Sequence, residues 1–339
     1  MAPRIVGPWS DACFSGGTMT AGPLPAPDRA TGLVADGPRA AALANLPDRI
    51  AFLGFGLIGG SIALALRDAG SAARLTAWTP YGNGPAEGLR RGFLDEAAPS
   101  AEAALEGAGL VVLAGPPLVV LGTLNDLAGP LRDALATEAT VTDVASTKAM
   151  ITRNAAAAGL AFVGGHPMAG RETSGVDAAT PELFVNRPWV VVRTAGSRPL
   201  DVERVEALAV GVGARPIHMD AQEHDAAVAS ISHLPLVLAA ALVESVATSL
   251  EEGSSWPLAR RLAATGWADM TRLARGDPGM GAGILATNAG PVAERLRALR
   301  QVLDTWIELL DREPGGGDSG ALEGRFRLAR ESLEREPGP

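Results

Sequence analysis

The chain has 339 residues, enough for two domains with substantial cores. Its formal net charge of −9 and sequence pI near 5.1 exclude a basic nucleic-acid-binding surface as its main business. A single cysteine, Cys13, excludes internal disulfides and cysteine-based metal clusters and fits a reducing cytoplasm.

Residues 1–47 are rich in Pro, Gly and Ala but lack the charged start and continuous apolar run of a signal peptide, so they read as a disordered extension in which Met19 is a candidate start. Arg49 to Leu53 then reads as a short apolar strand, followed at once by Gly54-Phe55-Gly56-Leu57-Ile58-Gly59 and a helical run to Arg67. This is G-x-G-x-x-G between a strand and a helix, where glycines allow a sharp turn and the open N–H groups of the helix meet a pyrophosphate. The expectation is a Rossmann-type domain holding NAD or NADP on those six residues. Arg74 to Trp78 is the next strand. At its end, where NAD enzymes usually place an acid against the ribose, stands Thr79, so NADP should be tolerated. Arg90 and Arg91 lie further on and read as solvated helix charges.

Leu110 to Ala114 is a third strand, ending at Gly115-Pro116, where Pro116 can lie against the dinucleotide. Ala139 to Val144 is a fourth, ending at Ala145-Ser146-Thr147-Lys148. Ser146 can orient a neighbouring base and touch the nicotinamide, or simply cap the next helix. Lys148, the only lysine in the chain, is either an anion contact or an exposed helix charge. Leu160 to Val163 reads as a buried strand that runs into Gly164-Gly165-His166-Pro167-Met168-Ala169-Gly170-Arg171-Glu172-Thr173-Ser174-Gly175. His166, placed in a loop just past that strand, is the candidate base; the alternative is a histidine bonded to backbone in a tight turn. Strands at Trp189 to Val192 and Arg215 to Met219 complete a doubly wound parallel sheet over residues 48–220.

Residues 221–312 change to Ala- and Leu-rich helical patterns, an all-helical dimerisation domain whose apolar faces call for a second copy. Its most apolar stretch, Leu234 to Val243, is short for a bilayer, so no membrane span is expected. His224-Asp225 and Ser232-His233 place polar groups among apolar ones, but the two histidines are nine apart, not at the spacing of a helical zinc pair, and no metal is expected. Arg272 can fork onto a substrate carboxylate or pair with Asp269 three residues earlier. Residues 313–339 read as a flexible loop at Gly315-Gly316-Gly317 and a charged terminal helix from Leu322 to Leu333.

The blocks GFGLIGGS, TDVASTK, GGHPMAGRETSG, HDAAVASISHLP and GWADMTRLARGDP, in this order over roughly residues 48 to 310, resemble the prephenate/arogenate dehydrogenases of tyrosine biosynthesis. The resemblance implies a cytoplasmic homodimer that oxidatively decarboxylates a cyclohexadienol. His166 would assist deprotonation of the substrate hydroxyl, Ser146 would orient His166 and the cofactor, Arg272 would hold a carboxylate, and Ser232 and His233 would line the pocket. Two departures stand out. Many relatives carry a second histidine where this chain has Leu236, and a basic residue where it has Ala268. Arg171 is the expected substitute for that charge, Glu172 is retained, and the gaps weaken the expectation of feedback inhibition by tyrosine. The substrate is prephenate on this reading, with arogenate or an amino-substituted prephenate as the competing one. A hydroxy acid dehydrogenase with a catalytic lysine in its helical domain is disfavoured, since no lysine follows Lys148. A catalytically silent nucleotide-binding sensor is the remaining non-enzymatic reading.

Overall fold

The computed structural model describes residues 37–171, 173–247, 256–311 and 318–335. The expected extension up to residue 36, with Met19, lies outside the described residues, as do Glu172 and the glycine loop at Gly315. Eight strands form one sheet: β1 (Arg49–Leu53), β2 (Arg74–Trp78), β3 (Glu96–Ala97), β4 (Leu110–Leu113), β5 (Thr140–Asp143), β6 (Phe162–Pro167), β7 (Pro188–Arg193) and β8 (Arg215–His218). Their order is β3-β2-β1-β4-β5-β6-β7-β8.

Both faces of the central strands are buried, which is why they read as unbroken apolar runs. Ile50, Phe52, Leu110 and Val112 enter one core, whereas Ala51, Leu53, Val111 and Leu113 enter the other. Helices Leu57–Asp68 and Pro199–Gly211 cover the first face through Ile62, Leu66, Val205 and Leu208; helices Pro117–Ala128 and Ala149–Ala157 cover the second through Val120, Leu124 and Ile151. The strand order reverses between β1 and β4, and such a switch point opens a crevice at the carboxyl ends of the strands.

Three expectations change. The sheet is not wholly parallel, because β7 runs antiparallel to β6, with β8 parallel to β7. Among its described residues the link from β6 to β7 contains only the 3-10 turn Val176–Ala178, too little helix for a crossover, so the chain turns back on itself. The extension is ordered earlier than residue 48: Gly37–Ala44 is a helix held on Pro199–Gly211, with Arg39 Nε donating to the Gly211 carbonyl at 2.9 Å and Nη2 to that of Ala65 at 3.3 Å. Finally, Leu234 to Val243 belongs to a continuous helical run, Ala221–Ala247, of 27 residues, long and apolar enough by composition to cross a bilayer. Its polar first turns are bonded to the end of the sheet, as described below. The terminal helix spans Ser319–Glu334, slightly longer than its apolar pattern.

Strand β6 carries two glycines for a packing reason. A Cβ on Gly165 would sit 2.5 Å from the Asp143 carbonyl oxygen, and one on Gly164 would meet the Lys148 stem at 3.1 Å. Gly165→Ala should therefore destabilise the fold by about 1–3 kcal/mol. Gly170→Ala, with nothing within 4 Å, should stay within about 0.5 kcal/mol. Urea unfolding of both variants checks this contrast, and equal effects would refute it.

Candidate active site

The glycine turn behaves as its pattern requires. Gly54 has φ +97° and a Cβ there would lie 2.7 Å from the Ala114 carbonyl oxygen, so the turns after β1 and β4 touch. Gly56 has open space where a Cβ would point, and helix Leu57–Asp68 begins at it with no side-chain cap. The N–H groups of that helix end are thus open to an anion, and the residues fit a pyrophosphate. The Phe55 ring is turned into the core, packing against Phe52 and Phe93 at centroid distances of 5.6 and 6.0 Å, which leaves only its backbone at the turn. Thr79 follows β2, where its Oγ1 accepts from the Gly82 N–H at 3.0 Å.

Beneath the next loops lies a buried ion pair. Asp143 ends β5, and Lys148 pairs with it through Nζ, both side chains being fully buried. The same carboxylate accepts from the Ala145 N–H at 3.0 Å and the Gly165 N–H at 3.1 Å. It therefore ties the loop carrying Ser146 to the strand carrying His166. Burial pushes the Asp143 pKa up and that of Lys148 down, each opposed by the other's charge. Lys148 is not an exposed helix charge; it is an anion contact whose carboxylate is internal, that of Asp143.

From the other side, Asp220 caps the run that starts at Ala221, accepting from the Gln222 N–H at 2.8 Å. This sets Asp225 against the end of helix Ala149–Ala157, where its carboxylate accepts from the N–H groups of Lys148 at 2.7 Å and Ala149 at 2.8 Å. His224 Nδ1 lies 2.8 Å from Asp225 Oδ1, and His224 Nε2 lies 2.8 Å from Nδ1 of His166. The rings of His166 and His224 meet edge to face. A π-helical turn, Ala229–His233, then buries His233, whose Nδ1 accepts from Asn288 Nδ2 at 3.0 Å. The same amide group donates to the Asp225 carbonyl at 2.8 Å. Thr147 and Thr287 join their hydroxyls at 2.9 Å across the same junction.

His166 is half-buried and lies within β6, paired with Val190 of β7, not in a loop beyond the strand. Lost hydration, then the positive character of His224, Lys148 and His233, hold its pKa well below the ordinary value. Ser146 makes no bond to it. The Ser146 Oγ is buried without a hydrogen-bond partner, and the orienting contact expected of it is made by His224 instead. Arg171 and Ser232 are exposed, as is Arg272, which opens a 3-10 turn beside helix Leu234–Ala247. Of the expected residues, the fold gathers His166, His233 and Ser146 at the sheet end, with the glycine turn and Pro116 further along the same edge. Asp143 and Asn288 are not singled out in the sequence, and Asp225 stands out there only as a polar neighbour of His224. Asp143 is a carboxylate ending an apolar run, a signal that could have found it, whereas Asn288 carries no local signal.

A family model described as prephenate dehydrogenase, nucleotide-binding domain, matches residues 62–218, and one described as prephenate dehydrogenase, dimerization domain, matches residues 220–317. The chain belongs to the prephenate dehydrogenase family. A prephenate dehydrogenase of Bacillus subtilis is 33% identical over 297 residues, 87% of this chain and 76% of the relative. The crystal structure of Synechocystis arogenate dehydrogenase matches with a TM-score of 0.67 and 31% identity, covering 84% of this chain and 98% of that one. In fold alone, the prephenate dehydrogenase of A. aeolicus, solved with hydroxyphenyl propionate and NAD+, matches with a TM-score of 0.76 at 24% identity, covering 86% of this chain and 99% of that one.

The buried histidines make the fold acid-sensitive. Burial lowers the His233 pKa from 6.5 to about 4. Between these values the unfolded chain binds a proton that the folded chain refuses, so stability is complete above the higher value and lost as pH falls toward the lower. The loss attributable to His233 is roughly 3 kcal/mol. Urea midpoints taken near neutrality and near pH 4 should fall less in His233→Gln than in the parent chain; an equal fall would show that another group is responsible.

Proposed function

We propose that the chain catalyses the oxidative decarboxylation of prephenate to 4-hydroxyphenylpyruvate with NAD or NADP, as a cytoplasmic homodimer. The observation that carries this reading is a neutral histidine on β6, at the edge where the open glycine turn presents helix N–H groups, in a chain of this family. Gly54, Phe55, Gly56, Leu57, Ile58 and Gly59 would hold the pyrophosphate by backbone, Thr79 the ribose side, and Pro116 and Ser146 the nicotinamide side. When bound, the nicotinamide supplies the hydride acceptor.

His166 takes the proton of the substrate hydroxyl while the carbinol hydrogen leaves as hydride. It returns that proton to the same oxygen once the electrons of the breaking carbon–carboxylate bond have entered the ring, which becomes a phenol as carbon dioxide departs. Its lowered pKa leaves the imidazole unprotonated near neutral pH, the form that can accept the hydroxyl proton. Arg272 and Arg171 supply guanidinium groups for the substrate carboxylates, and Ser232 and His233 line the pocket, in a helical substrate and dimerisation domain over residues 221–312. Helix Leu234–Ala247 buries only Ala239 within the single chain, and a second copy accounts for the remaining apolar faces. The competing substrate is arogenate, favoured by the identity to the Synechocystis arogenate dehydrogenase; the two differ at the side chain, a keto acid in one and an amino acid in the other.

Following reduced nicotinamide with both substrates and both cofactors tests the reading, and turnover of neither substrate would leave a silent nucleotide-binding protein. His166→Asn should lower kcat by about 10²–10⁴-fold and leave cofactor affinity unchanged; retained turnover would remove His166 from the chemistry. With no carboxylate after β2 to repel a 2′-phosphate, catalytic efficiency with NADP should lie within about tenfold, or ~1.4 kcal/mol, of that with NAD. A preference for NAD of about a hundredfold or more would overturn that expectation.

A further inference from the structure

The His224-Asp225 pair has no role in the scheme above, although its contacts lead directly to the proposed base. A carboxylate only accepts hydrogen bonds, so the 2.8 Å contact between Asp225 Oδ1 and His224 Nδ1 requires the proton to be on that nitrogen. Asp225 is held in the accepting role by two further donors, the N–H groups of Lys148 and Ala149. The neutral ring of that tautomer has an unprotonated Nε2. That nitrogen lies 2.8 Å from His166 Nδ1, and two unprotonated nitrogens cannot share a hydrogen bond, so His166 must donate from Nδ1. A neutral imidazole protonated at Nδ1 has its lone pair on Nε2.

We infer that His224 and Asp225 are positioning residues that fix His166 as the Nδ1–H tautomer, so that its Nε2 is the nitrogen that accepts the substrate proton. The inference rests on the proposed reaction for its chemical meaning, but the tautomer is a property of the protein alone. Both residues come from the helical run Ala221–Ala247, whereas His166 comes from the sheet. The base is therefore complete only when the two parts are docked. His224 is buried, which keeps water from competing for His166 Nδ1. Lost hydration and then the charge of Lys148 disfavour the imidazolium form of His166, while Asp225 bonds to His224 and reaches His166 only through that ring. A purely structural role for the pair would need no particular tautomer of His166.

The chain has four histidines, so the ring nitrogens can be followed by ¹⁵N NMR of the histidine-labelled full-length protein, with His166→Asn and His224→Phe assigning the signals. The expected result is a protonated Nδ1 and an unprotonated Nε2 on His166 in the parent protein near neutral pH. A protonated Nε2, whether in the opposite tautomer or in an imidazolium, overturns the inference, and that result is read in the parent protein itself. In turnover, His224→Phe should lower kcat about 100-fold while the KM values for prephenate and cofactor stay within about threefold. His224→Gln, whose Oε1 can accept from His166 Nδ1, should regain about tenfold of the loss. An unchanged kcat in His224→Phe, or a loss confined to KM, also overturns it. A parent protein that shows the expected tautomer but turns over neither prephenate nor arogenate would refute the proposed reaction and leave the positioning assignment standing.

Discussion

The carboxylate of Asp225 is the contact on which the junction between sheet and helices depends. Helix Ala149–Ala157 starts at Lys148, a residue that cannot cap it, and its first N–H groups would be unpaired in a buried place. Asp225 supplies the cap from 77 residues away in sequence. Losing a side-chain cap typically costs about 0.5–2 kcal/mol, and a negative charge at a helix start is further favoured by the helix dipole. The same oxygen that holds Lys148 N–H also meets His224 Nδ1, so one group both docks the helical region and sets the histidine pair.

The Asp143–Lys148 pair plays the corresponding part inside the sheet. Two fully buried charges are expensive to desolvate, and an apolar pair of similar shape would often be no less stable. What an apolar pair lacks is the ability to accept from Ala145 and Gly165 simultaneously, which fixes the β5 loop against β6. Gly164 and Gly165 follow from that arrangement, since one leaves room for the lysine stem and the other for the Asp143 backbone. The glycines before His166 are thus a consequence of close packing against Lys148 and Asp143, not a sign of a flexible loop.

That difference explains what was legible in the sequence. β1 and the glycine turn were readable because their geometry is local: an apolar run, a residue with positive φ, and a helix start within ten positions. β6 was read as stopping at Val163 because Gly-Gly and Pro are turn signals, yet antiparallel pairing with β7 carries it on to Pro167, with His166 opposite Val190. Gly37–Ala44 was hidden by a Pro- and Gly-rich neighbourhood, although Arg39 and Leu43 anchor it to distant Gly211. The family blocks pointed to His166, Ser146 and His233, which the fold does bring near one another. They did not reveal that His166 bonds to His224 and not to Ser146, because a bond between residues 58 apart depends on how two parts of the chain dock.

The run Ala221–Ala247 shows how one helix reconciles two surfaces. Its first turns must place His224 and Asp225 against the sheet, and its later turns present apolar residues on nearly all sides. A regular α-helix drawn straight through would have to keep both faces in one phase. The π-helical turn at Ala229–His233 inserts an extra residue between them, which rotates everything downstream relative to what came before. His233 consequently points inward to Asn288, while the preceding Ile231 and Ser232 are exposed. The irregular turn stands where polar chemistry gives way to apolar surface. It lets the residues behind it face a second molecule without moving those in front of it away from His166.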